Sequence, residues 1–115
     1  MYIIIVGGGR TGALLAQRLL DRDHEIVLVE KDEERAQELA SQMDCLVIHG
    51  SGAEMDVLED AGGERADALV AVAAADEINF MASKLAKELK IGKVVTRVNE
   101  EKHAKMFEDL GVDAA

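Results

Sequence analysis

Short apolar runs and stretches of helical period alternate along this chain. Tyr2 to Val6, Ile26 to Glu30, Cys45 to His49, Ala68 to Val72 and Val94 to Val98 are brief and rich in Val, Ile or Leu, the composition of strands buried on both faces. Between them the apolar positions recur at helical spacing. Ala36, Leu39, Ala40 and Met43 form one stripe, and Ile78, Met81, Ala82, Leu85 and Leu89 form another; both predict faces turned to a core. A first helix runs from about Ala13 to Leu20, a short third helix precedes Gly62 and Gly63, and a last helix covers about Glu101 to Leu110. Gly111 suits the left-handed position after that final turn. Strands and helices in strict alternation predict the α/β class: a Rossmann-like, doubly wound parallel sheet of order 3-2-1-4-5 with helices on both faces.

At 115 residues, without proline, linker or low-complexity segment, the whole chain (1–115) reads as a single domain able to bury a core of its own. Gly111, Val112 and Asp113 resemble the approach to another strand. The full doubly wound order 3-2-1-4-5-6 has a sixth strand at this place, so the expectation is that this strand is truncated and that the chain is a fragment of a longer protein.

The richest chemistry follows the first strand. The run GGGRTG, Gly7 to Gly12, has the spacing of a dinucleotide-binding turn: Gly7 turns out of the strand, Gly9 lets the backbone approach a pyrophosphate, and Gly12 lets the helix pack close to the sheet. Unpaired N–H groups from about Arg10 to Ala13, with the helix dipole behind them, offset phosphate charge without a required side-chain cation. The second apolar run ends at Glu30, eighteen residues after Gly12, where a carboxylate can accept both hydroxyls of an adenosine ribose. Like-charge repulsion there favours NAD over NADP. Lys31 reads either as a cation that partly accommodates a 2′-phosphate or as a solvated residue opening the second helix.

Composition narrows the function. The balance of 23 acidic and 13 basic residues, net −10, opposes a nucleic-acid groove. No apolar run approaches the roughly 20 residues that cross a bilayer, and the expected location is cytoplasmic. Cys45 reads as a small buried hydrophobe. One cysteine and three scattered histidines offer no ligand-spaced pair, so no metal is expected. His24 reads as a loop residue, His49 as a strand-end residue bordering or satisfied beside the adenine side, and His103 as surface. Tyr2 is the only tyrosine and lies in a strand. The residues supply no evident proton donor for hydride transfer, so an enzyme is not the first reading; the cofactor-binding half of an NAD-dependent oxidoreductase is the alternative.

Beyond the glycine turn and Glu30, the stretches HGSGAEMDVLEDAG (His49 to Gly62), RADALVAVAAADEINFMASKLAKE (Arg65 to Glu88), RVN (Arg97 to Asn99) and FEDLGVD (Phe107 to Asp113) resemble the KTN domain, also called the RCK N-terminal or TrkA-N domain, of potassium transport regulators. The resemblance spans essentially the whole chain. It implies a regulatory subunit that binds NAD or NADH, or in some members ATP or ADP, and gates a membrane potassium transporter or channel from its cytoplasmic side. By position, Gly7, Gly8, Gly9, Arg10 and Thr11 would hold the pyrophosphate, with Gly12 closing the turn. Glu30 would take the adenosine ribose with Lys31 beside it, Ala73 and Ala74 would line the pocket, and Arg97 would reach a phosphate or ribose.

Two positions depart from the family pattern. Ser51 and Gly52 follow Gly50 where an acidic or amide side chain is common, so Ser51 is left as the polar group on the adenine side. Ala73 stands where threonine is common, leaving only backbone groups for the ligand. The resemblance further implies a homodimer within a larger ring, with a contact surface that includes the last helix, where Met106 and Phe107 cannot both face the sheet.

Overall fold

The computed structural model describes residues 1–115. Strands β1 (Tyr2–Val6), β2 (Glu25–Glu30), β3 (Leu46–His49), β4 (Ala68–Ala71) and β5 (Lys93–Thr96) form one sheet in the order β3-β2-β1-β4-β5. Every pairing is parallel. Helices α1 (Arg10–Leu20), α2 (Glu33–Gln42), α3 (Met55–Asp60), α4 (Asp76–Glu88) and α5 (Ala104–Leu110) fill the connections. The class and strand order are those expected from the alternation of apolar runs.

Successive side chains of a strand point to opposite faces, so a strand buried on both must be apolar throughout. β1 shows this. Ile4 and Val6 join the cluster with Leu58, Ala82 and Ala86 under α3 and α4, whereas Ile3 and Ile5 join Ala16 and Leu39 under α1 and α2. α5 lies against α4, where Phe107, fully buried, meets Phe80 edge to face with centroids 5.4 Å apart. Met106 stays exposed, so only one of this neighbouring pair turns inward.

Several boundaries differ from the sequence expectation. β3 begins at Leu46, leaving Cys45 before the strand and only partly buried; burial, aided by the charge of Asp44, pushes its thiol pKa up, so it is a poor nucleophile. Val72 and Val98 lie beyond the ends of β4 and β5. The last helix opens with a 3-10 turn, Glu101–His103, before α5, and Gly111 takes the expected left-handed conformation at φ 86°.

The helical stripes face the core except at Ala40 and Met81: Ala36, Leu39 and Ala82 are buried, and Met43, Ile78, Leu85 and Leu89 pack against the core partly buried. In α2, Ala36 and Leu39 are buried but Ala40 is exposed, and Met43 has already left the helix. In α4, Met81 is exposed while the inward face is Asp76, Asn79, Ala82, Ser83 and Ala86. Three of those five are polar. Asn79 bonds the main chain just past β4 and β5, Asp76 bonds the loop at Asn99 and Glu100 and the His103 ring, and Ser83 donates to the Asn79 carbonyl within α4, which lets a helix bury hydrogen-bonding side chains where periodicity calls for aliphatic ones.

After α5 the chain returns to the sheet beside β5. The Asp113 N–H donates to the Val94 carbonyl at 2.8 Å, and the Thr96 N–H donates to the Ala114 carbonyl at 3.0 Å. Val95 and Ala114 thereby form a parallel bridge, the position of the sixth strand in a doubly wound sheet.

Candidate nucleotide site

Between β1 and β4 the chain connections leave the sheet in opposite directions, which opens a crevice at the carboxyl ends of the strands. A cleft of about 620 Å³ occupies it. Gly7, Gly8, Gly9, Arg10 and Thr11 form its floor. Glu30, Lys31, Gly50, Ser51 and Gly52 form one wall, and Val72 to Ala75, Ile78 and Arg97 form the other.

The floor follows from the glycines. Gly7 has φ +109°, and a Cβ there would stand 2.7 Å from the Ala73 nitrogen; both the conformation and the room demand glycine. At Gly12 a Cβ would lie 1.8 Å from the Gly7 carbonyl oxygen, so α1 approaches the turn as closely as backbone permits. Gly9 is different. Nothing in the protein comes within 4 Å of a Cβ placed there, which keeps that face of the turn open.

The turn points unpaired donors at the cleft. Gly7 N–H bonds the Val29 carbonyl at 2.9 Å, and Gly8 N–H bonds Glu30 Oε1 at 2.7 Å. The first bond within the α1 ladder is Ala13 N–H to the Gly9 carbonyl at 2.9 Å. The N–H groups of Gly9, Arg10, Thr11 and Gly12 therefore make no hydrogen bond. No acidic side chain sits in the first turn of α1, and Gly9 provides no side-chain cap. An anion seated there meets bare donors and the positive end of the helix dipole.

Glu30 is fixed before any ligand arrives. Its second oxygen accepts the Asp32 N–H at 2.7 Å, and Arg35 Nε donates to the Gly8 carbonyl at 2.8 Å, so the Gly8 peptide is gripped from both sides. A carboxylate has about four acceptor directions, which leaves two for ribose hydroxyls. Ser51 is half-buried at this wall, where its Oγ accepts the Ala53 N–H at 3.1 Å. The charged residues around the cleft are Arg10, Lys31, Arg97 and Glu30, a cationic majority in a chain whose net charge is −10.

The opposite wall is held by side chains. Asn79 Oδ1 accepts the Ala73 N–H at 2.8 Å, while Asn79 Nδ2 donates to the Ala73 carbonyl at 2.9 Å and to the Arg97 carbonyl at 3.2 Å. Asn99 Nδ2 also reaches the Ala73 carbonyl at 3.2 Å. Ala73 therefore has no free backbone group for a ligand, contrary to the sequence expectation; it shapes the wall instead. Arg97 is exposed at the end of β5, and its guanidinium joins no ion pair.

Behind Asn79 sits Asp76, 3 % exposed. Its Oδ1 accepts the Asn99 N–H at 2.7 Å and Asn99 Nδ2 at 2.9 Å; its Oδ2 accepts the Glu100 N–H at 2.9 Å and pairs with His103 Nδ1 at 2.7 Å. Burial alone would raise this carboxyl, but the hydrogen bonds from His103, Asn99 and Glu100 outweigh it and hold the pKa well below the usual carboxylate range.

Eleven of the twelve residues assigned to nucleotide from sequence line the cleft. Gly12 does not; it is buried in the contact between α1 and the Gly7 carbonyl. Val6, Val29, Gly50, Gly52, Val72, Ala75 and Ile78 are lining residues that the sequence assignment left out. The helical stripe did contain Ile78, but as core.

The histidines also find their places. His24 Nδ1 lies 3.1 Å from the amino terminus. His49 Nε2 lies 3.1 Å from the Lys31 carbonyl and is not at the cleft, as a satisfied strand-end residue. His103, read as surface, is instead the partner of Asp76. With Glu100 these two bring ligand-type atoms within 4.8 Å of one another, a grouping that histidine and cysteine spacing alone had missed. The Asp76 oxygens already carry four hydrogen-bond contacts, so the group is built as a brace.

Residues 3–115 match the TrkA-N domain family. A TrkA homolog of the Trk potassium uptake system from Methanothermobacter thermautotrophicus is 37 % identical over 113 residues, 98 % of this chain and 52 % of the relative. The Streptomyces coelicolor TrkA protein is 32 % identical over 113 residues, 97 % of this chain and 51 % of its own length. The chain thus spans about half the length of these relatives. Among solved structures, the TrkA-N domain of the Escherichia coli inner membrane protein ybaL superposes with a TM-score of 0.89 at 21 % identity, covering 98 % of this chain and 84 % of the other. The AMP-bound Kef C-terminal domain of Shewanella denitrificans superposes with a TM-score of 0.83 at 28 % identity, covering 100 % of this chain and 70 % of the other.

Proposed function

The chain belongs to the TrkA-N domain family, and from that premise we propose that it is a nucleotide-sensing unit that regulates potassium uptake, with NAD or NADH as its ligand. One observation carries the reading: the start of α1 leaves four N–H groups, Gly9 to Gly12, unbonded, and Gly9, Arg10 and Thr11 line a cleft whose flanking carboxylate, Glu30, is already oriented. The pyrophosphate lies on the glycine turn, the adenosine ribose on Glu30, and Arg97 meets the far phosphate or ribose from the opposite wall. The AMP-bound form of the Kef domain supports an adenylate as ligand, because AMP is one half of NAD.

Binding energy is used here to select a conformation. The nucleotide bridges the floor and both walls, and ligands that bridge them differently favour different arrangements of paired domains. A membrane potassium transporter or channel on whose cytoplasmic face the domain sits would read that arrangement. The pairing is a homodimer within a larger ring, and exposed Met106 on α5 contributes apolar surface to it. No helix is long and apolar enough to cross a membrane.

Catalysis is not part of the reading. No histidine lines the cleft, and the hydroxyl of Tyr2 donates to the Ala61 carbonyl; the cofactor-binding half of an NAD-dependent oxidoreductase is the alternative. ATP or ADP is a second reading of the ligand, favoured by the three cations Arg10, Lys31 and Arg97 around one cleft.

Isothermal titration with NAD, NADH, ATP, ADP and NADP, repeated on Glu30→Ala, tests the assignment. Saturable binding of NAD or NADH, weaker for NADP and lost in the variant, is the expected result. Preference for ATP or ADP would transfer the signal to the second reading, and binding of none would overturn both.

A further inference from the structure

The two walls of the cleft depend on separate sets of hydrogen bonds. Glu30 is held by the Gly8 and Asp32 N–H groups, and neither belongs to the opposite wall. That wall hangs on the side chain of Asn79, which is wholly buried. Its amide is the one side-chain group bonded to both Ala73, just past β4, and Arg97, just past β5. These residues are 24 apart in sequence and follow neighbouring strands; the Arg97 N–H on the Ala71 carbonyl and Asn99 Nδ2 on the Ala73 carbonyl also link the two loops, but Asn79 alone joins Ala73 to the Arg97 carbonyl.

We propose that Asn79 is the positioning residue that makes the cleft prefer a dinucleotide to a mononucleotide. The inference rests on the nucleotide reading of the cleft given above. Ala73 packs against Gly7 of the turn, but an adenylate seated on the turn and Glu30 has no need of Arg97, the other residue Asn79 holds. A dinucleotide continues past the pyrophosphate to the wall of Ala73 and Arg97, where the free guanidinium waits in a place fixed by its own tethered carbonyl.

The chemistry of the tie is specific to an amide. Asn79 accepts one N–H and donates to two carbonyls, using the acceptor and both donor directions of a carboxamide. Aspartate has the same size and could still accept the Ala73 N–H, but it would turn a negative oxygen toward the Ala73 and Arg97 carbonyls. The wall would be pushed open, not merely released. Ser83, one turn further along the same buried face, donates to the Asn79 carbonyl at 2.7 Å and touches neither wall segment. It separates loss of a buried hydrogen bond in α4 from loss of the tie.

The test is calorimetric titration of the chain with AMP and with NAD, comparing wild type, Asn79→Ala, Asn79→Asp and Ser83→Ala. Loss of the tie should weaken NAD by about tenfold or more, the worth of a fixed charged contact, in both Asn79 variants. AMP affinity should stay within about twofold, and the NAD to AMP ratio should be unchanged in Ser83→Ala. Asn79→Asp, of native size, serves where the alanine variant does not fold. Adding Arg97→Ala to Asn79→Asp should then cost little further NAD affinity, because the two changes disable one contact. Parallel loss of AMP and NAD, an unchanged ratio in the Asn79 variants, or additive effects in the double variant would overturn the proposal while leaving the nucleotide site standing. If wild type binds neither AMP nor NAD, the site reading itself fails, and this inference with it.

Discussion

The floor of the cleft and its β4–β5 wall are built on opposite principles. On the floor, main-chain donors are left without partners: Gly9, Arg10, Thr11 and Gly12 present N–H groups that nothing in the protein accepts. On the wall, the polar groups of Ala73 and the buried side chains behind it are paired, and buried Asn79 and Asp76 bind the loops after β4 and β5 into one piece, leaving only the exposed Arg97 guanidinium free. Unsatisfied donors at a helix start are cheap while water reaches them and become attractive when an anion replaces that water. Buried amides and carboxylates are stable only when fully bonded. The contrast therefore assigns affinity to the floor and shape to the wall.

The largest effect should come from breaking the floor's geometry. Gly12→Ala forces a Cβ to within 1.8 Å of the Gly7 carbonyl oxygen, where only backbone can yield, and should destabilise the fold by about 3 kcal/mol or more in denaturant unfolding. Gly9→Ala, with open space around it, should change stability by no more than about 0.5 kcal/mol yet impair nucleotide binding. Equal stability losses in the two variants would erase the distinction between a packing glycine and a ligand-facing one.

Next comes the wall's carboxylate. Asp76→Ala strands the donors of Asn99, Glu100 and His103 and should cost about 2 kcal/mol at neutral pH. Acid unfolding sharpens the point. The folded state lowers the Asp76 pKa below its ordinary value of 3.8, so the stabilisation is fully present above that pH and is lost as pH falls toward the folded value. Wild type should show a steeper loss of stability below about pH 4 than Asp76→Asn; identical acid slopes would show that the brace contributes nothing as a carboxylate.

Smaller effects should separate the walls. Glu30→Ala removes the ribose acceptor and should weaken NAD by about 2 kcal/mol, roughly thirtyfold. Its two backbone hydrogen bonds make some loss of stability unavoidable, which circular dichroism melting will register. Arg97→Ala should weaken NAD by about tenfold and move stability by no more than about 0.5 kcal/mol, because the guanidinium has no partner in the free protein. Unchanged NAD affinity in Arg97→Ala would remove the wall from the binding account.

These two regions also divide what sequence can reveal. The floor is encoded locally: a strand, six residues of turn and a helix stand next to one another, and Glu30 follows at the end of the next strand. Each glycine reports a constraint of its own position, so the order of the sheet and nearly all of the cleft's floor were legible. The wall is encoded at a distance. Asn79 meets Arg97 18 residues away, and Asp76 meets His103 27 residues away. Periodicity marks α4 as amphipathic but cannot show that its inward face is partly polar, because the partners that make polar burial tolerable are contributed by loops elsewhere. For the same reason His103 reads as a surface residue until Asp76 is placed beside it. Ile78 eluded assignment to the site because a residue that packs on the core and also borders a cleft has the same local pattern as one that only packs.

The most direct test of the central claim follows the four bare donors themselves. In a two-dimensional amide NMR titration with NAD, the account predicts saturable shifts of the Gly9, Arg10, Thr11 and Gly12 N–H resonances, with Gly7 and Gly8, already bonded to Val29 and Glu30, changing less. Those four resonances standing still while NAD is in excess, or shifts confined to surface residues away from the cleft, would contradict it.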